Sequence, residues 1–231
     1  MTGVPMDFSA ERALRTCALV AAALVVGMLA IFATTGIGQD PLQYVHPAAD
    51  YAQLLLRNPP LLRAAIGLDN LFVTVYSAVF VLLFSLLWRD GAPRLLLIVG
   101  LGLLLLVGLL DMAENFHFLA MLAAAEQGRA PADDEIGWQA VESMFKFHVS
   151  YLGLLLLGLA LPRNDARQRA LAGLMVYVQW PVGVAIYVLP RAIAVPLVFV
   201  RFAFFLASFA LVASIYGPRR GAAVGSRSSQ F

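Results

Sequence analysis

The sequence predicts an all-α polytopic membrane bundle of about six transmembrane helices, with both termini cytoplasmic. Three observations carry this expectation. Of the 231 residues, 61% are hydrophobic and only 13% are charged, whereas a soluble domain is about 45–50% apolar and about 25% charged. Mean hydropathy is +0.82, more apolar mass than one water-soluble core of this length can hold. The apolar residues also fall into long runs, and the basic residues between those runs are unevenly distributed. A secreted module, a disordered chain and an ordinary cytosolic enzyme are thereby excluded.

Taken in order, the expected spans are 16–36, 67–88, 95–123, 145–161, 170–189 and 193–216. Each reaches or approaches the roughly 20 residues needed to cross a hydrocarbon layer of about 30 Å. Only helices satisfy their own backbone groups there. The first run follows Arg12 and Arg15, but it is too long for a secretory leader and lacks a clear cleavage site, so it reads as a retained anchor. Between the first two spans, segment 38–66 holds Pro41, Pro47, Pro59 and Pro60 around a short apolar stretch, which suits an interfacial helix or a lid. The stretch 126–142, with Asp133, Asp134 and Glu135 in a row, reads as a solvated loop capping the next helix. Residues 1–217 form one transmembrane domain. The Gly-, Ser- and Arg-rich tail 218–231 reads as a disordered cytoplasmic extension.

Orientation follows from arginine placement. With the N-terminus inside, inner segments hold Arg12, Arg15, Arg89, Arg94, Arg163, Arg167, Arg169, Arg219, Arg220 and Arg227, against Arg57, Arg63, Arg129 and Arg191 outside. The expected location is the bacterial inner membrane. A net charge of +2 gives no reason to expect nucleic acid, and the lone Cys17 permits no internal disulfide and no cysteine-based metal cage. Expected partners are the bilayer itself and either a second copy or another membrane protein.

Ionisable residues within spans are costly, about 2.5–3.5 kcal/mol each on insertion scales, and mark function by default. Here they gather. Asp69 and Asn70 open the second span, Asp111, Glu114, Asn115 and His117 lie in the third, and Lys146, the only lysine, and His148 open the fourth. Gln179 sits mid-way through the fifth and Arg201 lies a third of the way into the sixth. Alternating helix direction brings most of these to one outer depth. Asp111, Glu114 and Asn115 share one helical face by their i,i+3 and i,i+4 spacing, with His117 at its edge. Lys146 and His148 differ by about 200° around their helix, so both cannot face one pocket squarely.

Several readings of this cluster remain open. A structural network would pair Asp69 or Glu114 with Lys146 and hold spans two to four together. A divalent metal would draw on His117, His148, Asp111, Glu114 and Asp69 as imidazole and carboxylate ligands. Haem between His117 and His148 would set charged groups against a large apolar macrocycle, and no second histidine pair exists for transmembrane electron transfer. A proton- or cation-coupled pathway would titrate Asp111 and Glu114 and bind an anion at Arg201. Elsewhere, Gly100 and the glycines at 153 and 158 suit close helix approach, and Pro181, after Gln179, suits a kink.

The set Asp69-x-x-Phe72-x-x-x-Tyr76, Asp111-x-x-Glu114-Asn115 and Lys146 resembles a pattern in a group of bacterial polytopic membrane proteins, over roughly residues 60–160. The resemblance implies that Asp69, Tyr76, Asp111, Glu114, Asn115 and Lys146 act as a unit. It implies no particular reaction, and His117 and His148 fall outside it. Two functional classes are therefore expected. One is a binding, transport or assembly protein whose outward-facing cluster takes a small polar ligand, an ion or a partner. The alternative is a metal-assisted hydrolase or transferase at the membrane interface, with Glu114 as base and His117, His148 and Asp111 as ligands.

Overall fold

A computed structural model describes residues 9–217, and every regular element in that range is helical. The chain runs through α1 (Ala10–Thr35), a 3-10 turn (Asp40–Gln43), α2 (Ala48–Leu56), α3 (Pro59–Arg89), α4 (Arg94–Glu126), α5 (Asp133–Ala160), α6 (Ala166–Gly173), a π-helical stretch (Leu174–Val178), α7 (Gln179–Val188) and α8 (Arg191–Ile215). Six helical stretches are long and apolar enough to cross a membrane, with α6, the π stretch and α7 together making the fifth. The protein is an integral, multi-pass helical bundle. The expected tail 218–231 lies outside the described residues.

Two helices begin well before the apolar runs that announce them. α3 starts at Pro59, so residues 59–66 belong to a spanning helix and not to the outer segment 38–66. Asn58 caps it, its Oδ1 accepting from the Leu61 N–H at 3.2 Å, and Pro59 and Pro60 occupy the first turn, where a missing N–H costs nothing. Similarly, α5 starts at Asp133, twelve residues before the expected span. Asp133, Asp134 and Glu135 fill its first turn, where the helix dipole favours negative charge, and most of the expected acidic loop is therefore helix. α1 ends on Gly36, whose φ of 67° closes the helix in the left-handed conformation.

α4 packs between α3 and α5, while α1 packs on α3 and α8, and α7 lies against α8 and α5. The α4–α5 approach is close at two glycines. A Cβ on Gly100 would lie 3.3 Å from the Gly153 carbonyl oxygen, and one on Gly153 would lie 2.9 Å from Leu104. Pro181 lies three residues beyond the end of the π-helical stretch. The expected irregularity in this helix is thus spread over the preceding turn. Pro196 lies inside α8, near its start.

Two apolar clusters divide the bundle by depth. The larger joins Leu14, Ala18, Ala21 and Val25 of α1 to Leu83, Leu86 and Leu87 of α3, Leu97 and Leu104 of α4 and Leu157 of α5. The smaller lies toward the end bearing the 36–58 connection, where Tyr51 and Leu55 of α2 pack with Leu62, Ile66, Phe118, Met121 and Ile136. The Tyr51 hydroxyl donates to the Leu42 carbonyl at 2.9 Å and ties α2 to the 3-10 turn. Between these clusters α3 carries Asp69 and Asn70, α4 carries Asp111, Glu114 and Asn115, and α5 carries Gln139, Ser143 and Lys146. The connection thus sits as a cap over a polar layer.

Candidate functional site

The polar layer contains two hydrogen-bonded groups. In the first, Lys146 Nζ lies 2.7 Å from Asp111 Oδ1 and also donates to Glu114. The other Asp111 oxygen accepts from the Tyr76 hydroxyl. Glu114, fully buried, accepts in addition from Ser143, from Gln139 Nε2 at 3.2 Å and from Gln43 Nε2 at 3.3 Å. In the second group, Asn115 Nδ2 donates to Asp69 Oδ2 at 2.8 Å and to Asn70 Oδ1 at 2.9 Å, and its Oδ1 accepts from Gln39 Nε2 at 2.6 Å. Helical phase explains the split: Glu114 and Asn115 are neighbours on one face, the first turned toward α5 and the second toward α3.

Asp69, Asn70, Tyr76, Asp111, Glu114, Asn115 and Lys146 are thus all drawn into this layer, while Arg201 stands apart on α8. Four further contributors carry no charge and were not singled out in the sequence: Gln39 and Gln43 from the cap, Gln139 and Ser143 from α5. Gln139, Ser143 and Lys146 are spaced i, i+4 and i+7, a polar stripe readable in advance had α5 been known to begin at Asp133.

The metal set does not assemble. His117 turns away from the carboxylates of its own helix and lies between Glu135 and Glu142, its ring nitrogens 3.5 and 3.7 Å from their oxygens. His148 Nδ1 lies 2.7 Å from the Met144 carbonyl oxygen, one turn back on α5, and its ring packs against Tyr151 and Tyr187. Among the described residues no group of three or more His, Cys, Asp or Glu side chains is placed to hold a metal ion. Contrary to expectation the two histidines do not share a depth: His117 lies level with Glu135 and Glu142, whereas His148 lies beyond Lys146, which meets Asp111 one and a half turns deeper in α4. Nor is Glu114 free to act as a base, because four donors already occupy its oxygens. The group built around it fixes geometry and leaves no lone pair presented to a substrate.

Beside the layer lies a cavity of about 200 Å³. Its polar end is formed by Gln39, Asp40, Asp69, Asp111, Lys146 and Arg201, and its remaining walls are almost wholly apolar. Arg201, which shares the Phe147 ring with Lys146, is buried, with only 4% of its surface exposed. Its guanidinium carbon lies 4.0 Å from the centre of the Phe147 ring and 5.5 Å from that of Phe202. Its nearest carboxylate, Asp40, is 3.9 Å away, beyond hydrogen-bonding distance. Arg201 Nε and Nη1, the Asp40 Oδ1 atom and the Tyr151 and Tyr187 hydroxyls are buried without a hydrogen-bond partner. Burial pushes the Asp40 carboxyl above its ordinary range, against the pull of Arg201 and Arg191.

Compared with family models, with curated proteins and with solved structures, the chain has no match. The reading of the site therefore rests on its own chemistry. The polar end of the cavity combines a carboxylate–lysine network whose charged groups are all paired with a buried guanidinium that has two donors unfilled. Buried polar groups are ordinarily paired, and an unpaired one costs about 1–3 kcal/mol, more when charged.

Proposed function

We propose that this multi-pass protein is a binding protein of a bacterial inner membrane, taking a small polar ligand from the periplasmic side into the cavity beside the polar layer. The observation that carries the reading is a contrast in pairing at the polar end of the cavity. Asp69, Tyr76, Asp111, Glu114, Asn115 and Lys146 act as one unit that holds α3, α4 and α5 in register. Arg201 supplies the contacts left for a ligand. Role follows from pairing: the charged groups of the network are all engaged and set the shape, whereas the guanidinium with orphaned donors recognises.

Ser150 provides the test. It lines the cavity near Lys146, and its hydroxyl is engaged only by the Phe147 carbonyl at 2.7 Å. In a chain carrying Cys17→Ser, the Ser150→Cys thiol is expected to react with a small, cationic, membrane-impermeant methanethiosulfonate applied to the outer side of the membrane. In inside-out vesicles the same reagent is expected to leave it unmodified. Reaction confined to the cytoplasmic side, or none from either side, overturns the reading of an outward-opening ligand cavity.

A further inference from the structure

The cavity continues far below its polar end, and that extension bears on what occupies it. α8 lines it from Arg201 through Phe205 and Ser208 to Val212. At 1.5 Å per residue these eleven steps span about 16 Å, roughly half of a hydrocarbon layer about 30 Å thick. That is the depth one acyl chain occupies in its leaflet. Facing α8, the wall is built from Phe72, Phe80 and Leu83 of α3 and from Leu171 and Met175 before α7. The polar side chains at the lower level are Gln179 and Ser208, where Gln179 Nε2 donates to Ser208 Oγ at 3.1 Å and Gln179 Oε1 stays buried without a partner. The volume, about 200 Å³, leaves no room for a second chain beside the first.

At the head of this shaft the guanidinium of Arg201 is laid flat on Phe147. Phe147 in turn packs against Tyr151 and Tyr187, with ring centres 6.4 and 6.1 Å apart. Gly183 of α7 makes room for Tyr151, since a Cβ there would lie 1.9 Å from the Tyr151 Cζ atom. The result is a buried cluster of orphaned donors: Nε and Nη1 of Arg201 and the hydroxyls of Tyr151 and Tyr187. A planar guanidinium edge matches the paired oxygens of a carboxylate or phosphate, and phenol hydroxyls add donors to the same anion. A neutral head group would leave the guanidinium charge uncompensated.

We propose that the cavity binds a single-chain amphiphile with an anionic oxygen head group, the head on Arg201 and Tyr151 and the chain in the shaft between α3 and α8. This deepens the outward-opening reading above and rests on it. Asp40, at 3.9 Å, is the one carboxylate beside Arg201. It is displaced as a partner by a fully charged head group, which forms the short contacts that Asp40 does not make. The same head chemistry in a free anion would use Arg201 without using the shaft, so chain and head require separate probes.

The test uses the full chain in native mass spectrometry, with 1-oleoyl lysophosphatidate, oleyl alcohol and inorganic phosphate as probes. One lysophosphatidate is expected per chain, bound at least tenfold tighter than oleyl alcohol, with inorganic phosphate not retained. Arg201→Gln is expected to weaken lysophosphatidate about tenfold or more, the scale of a lost charge-assisted hydrogen bond, while oleyl alcohol is unchanged. Tyr151→Phe removes one hydroxyl. That hydroxyl faces Arg201 and makes no other polar contact, so the variant is expected to fold and to weaken the same probe severalfold, which keeps the head assignment testable if Arg201→Gln misfolds. Shortening the acyl chain from eighteen carbons to six is expected to lower affinity steeply. Equal binding by wild type, Arg201→Gln and Tyr151→Phe overturns the head assignment. Phosphate binding as tight as lysophosphatidate, or affinity independent of chain length, overturns the shaft assignment. Either failure leaves the Ser150→Cys labelling result standing, so the two readings fall separately.

Discussion

Lys146 is buried to 3% exposure between two carboxylates, and its removal strands both. A broken buried pair costs about 3–5 kcal/mol because the surviving charge is left uncompensated. Lys146→Met is therefore expected to lose stability on that scale in denaturant titrations of the micelle-embedded chain. Adding Glu114→Gln recovers part of the loss, and adding Asp111→Asn as well recovers more, since each removes one stranded charge. Strictly additive costs in this cycle would show that the groups are not coupled. Asp40 presents the opposite case. Burial raises its carboxyl above the ordinary 3.8, so its ionisation opposes folding as pH rises above that value, and the full cost is reached above the raised folded value. Asp40→Asn is thus expected to raise the melting temperature at pH 7 and to lose the advantage near pH 4. A difference that does not change with pH would contradict this. Charge inside an apolar span was legible without structure, which is why Asp69, Asp111, Glu114 and Lys146 stood out. Gln39, Gln43, Gln139 and Ser143 carry no charge and lie outside the apolar runs, so nothing set them apart. His117 and His148 misled for a physical reason: counting from Asp133 as the centre of their connection set them level, but the α4–α5 turn is centred near Gly128, where α5 has not yet begun, so the count shifted one helix against the other.

At the scale of elements, close approach at small residues sets how the helices dock. Gly100 and Gly153 could be expected to meet from sequence, because small residues in apolar spans let backbones come together. Gly183 gave no such signal, since its role depends on where the Tyr151 ring happens to lie. A Cβ there would sit 1.9 Å from Tyr151 Cζ and 2.3 Å from its hydroxyl oxygen, far inside contact distance. Gly183→Ala is therefore expected to cost at least the 1–3 kcal/mol of an overpacked site, read as a lowered melting temperature. Combining it with Tyr151→Leu removes the obstructing ring, and the double variant is expected to be more stable than Gly183→Ala alone. If it is not, the α5–α7 contact is not what Gly183 protects. Helix starts were the least legible feature of the fold. The first two turns of α3 and the first three turns of α5 lie beyond the apolar runs, so hydropathy is silent there. Only the caps, Asn58 before two prolines and three acids in the first turn of α5, mark where those helices begin.

For the whole molecule, the order of layers and the direction of the chain decide what the site can reach. A main apolar core, a polar layer and a smaller apolar cap follow one another along α3, α4 and α5. The cap is the end that carries the 36–58 connection, so the side of the membrane it faces is the side from which a polar ligand arrives. Six passes put residues 9 and 217 on the same side, opposite the cap. Arginine placement favours ten residues on that side against four beside the cap, and basic residues near span ends are retained in the cytoplasm. The cap is accordingly expected to face the periplasm. Single cysteines in a Cys17→Ser chain test this directly at exposed positions. Asp50→Cys in α2 and Gln127→Cys after α4 are expected to take an impermeant maleimide when only the outer membrane is opened. Asn164→Cys, between α5 and α6, is expected to react only once the inner membrane is also breached. The reverse pattern would turn the polar layer and Arg201 toward the cytoplasm. The ligand would then come from the cell interior, while the network itself, and the stability costs predicted for Lys146 and Gly183, would stay the same.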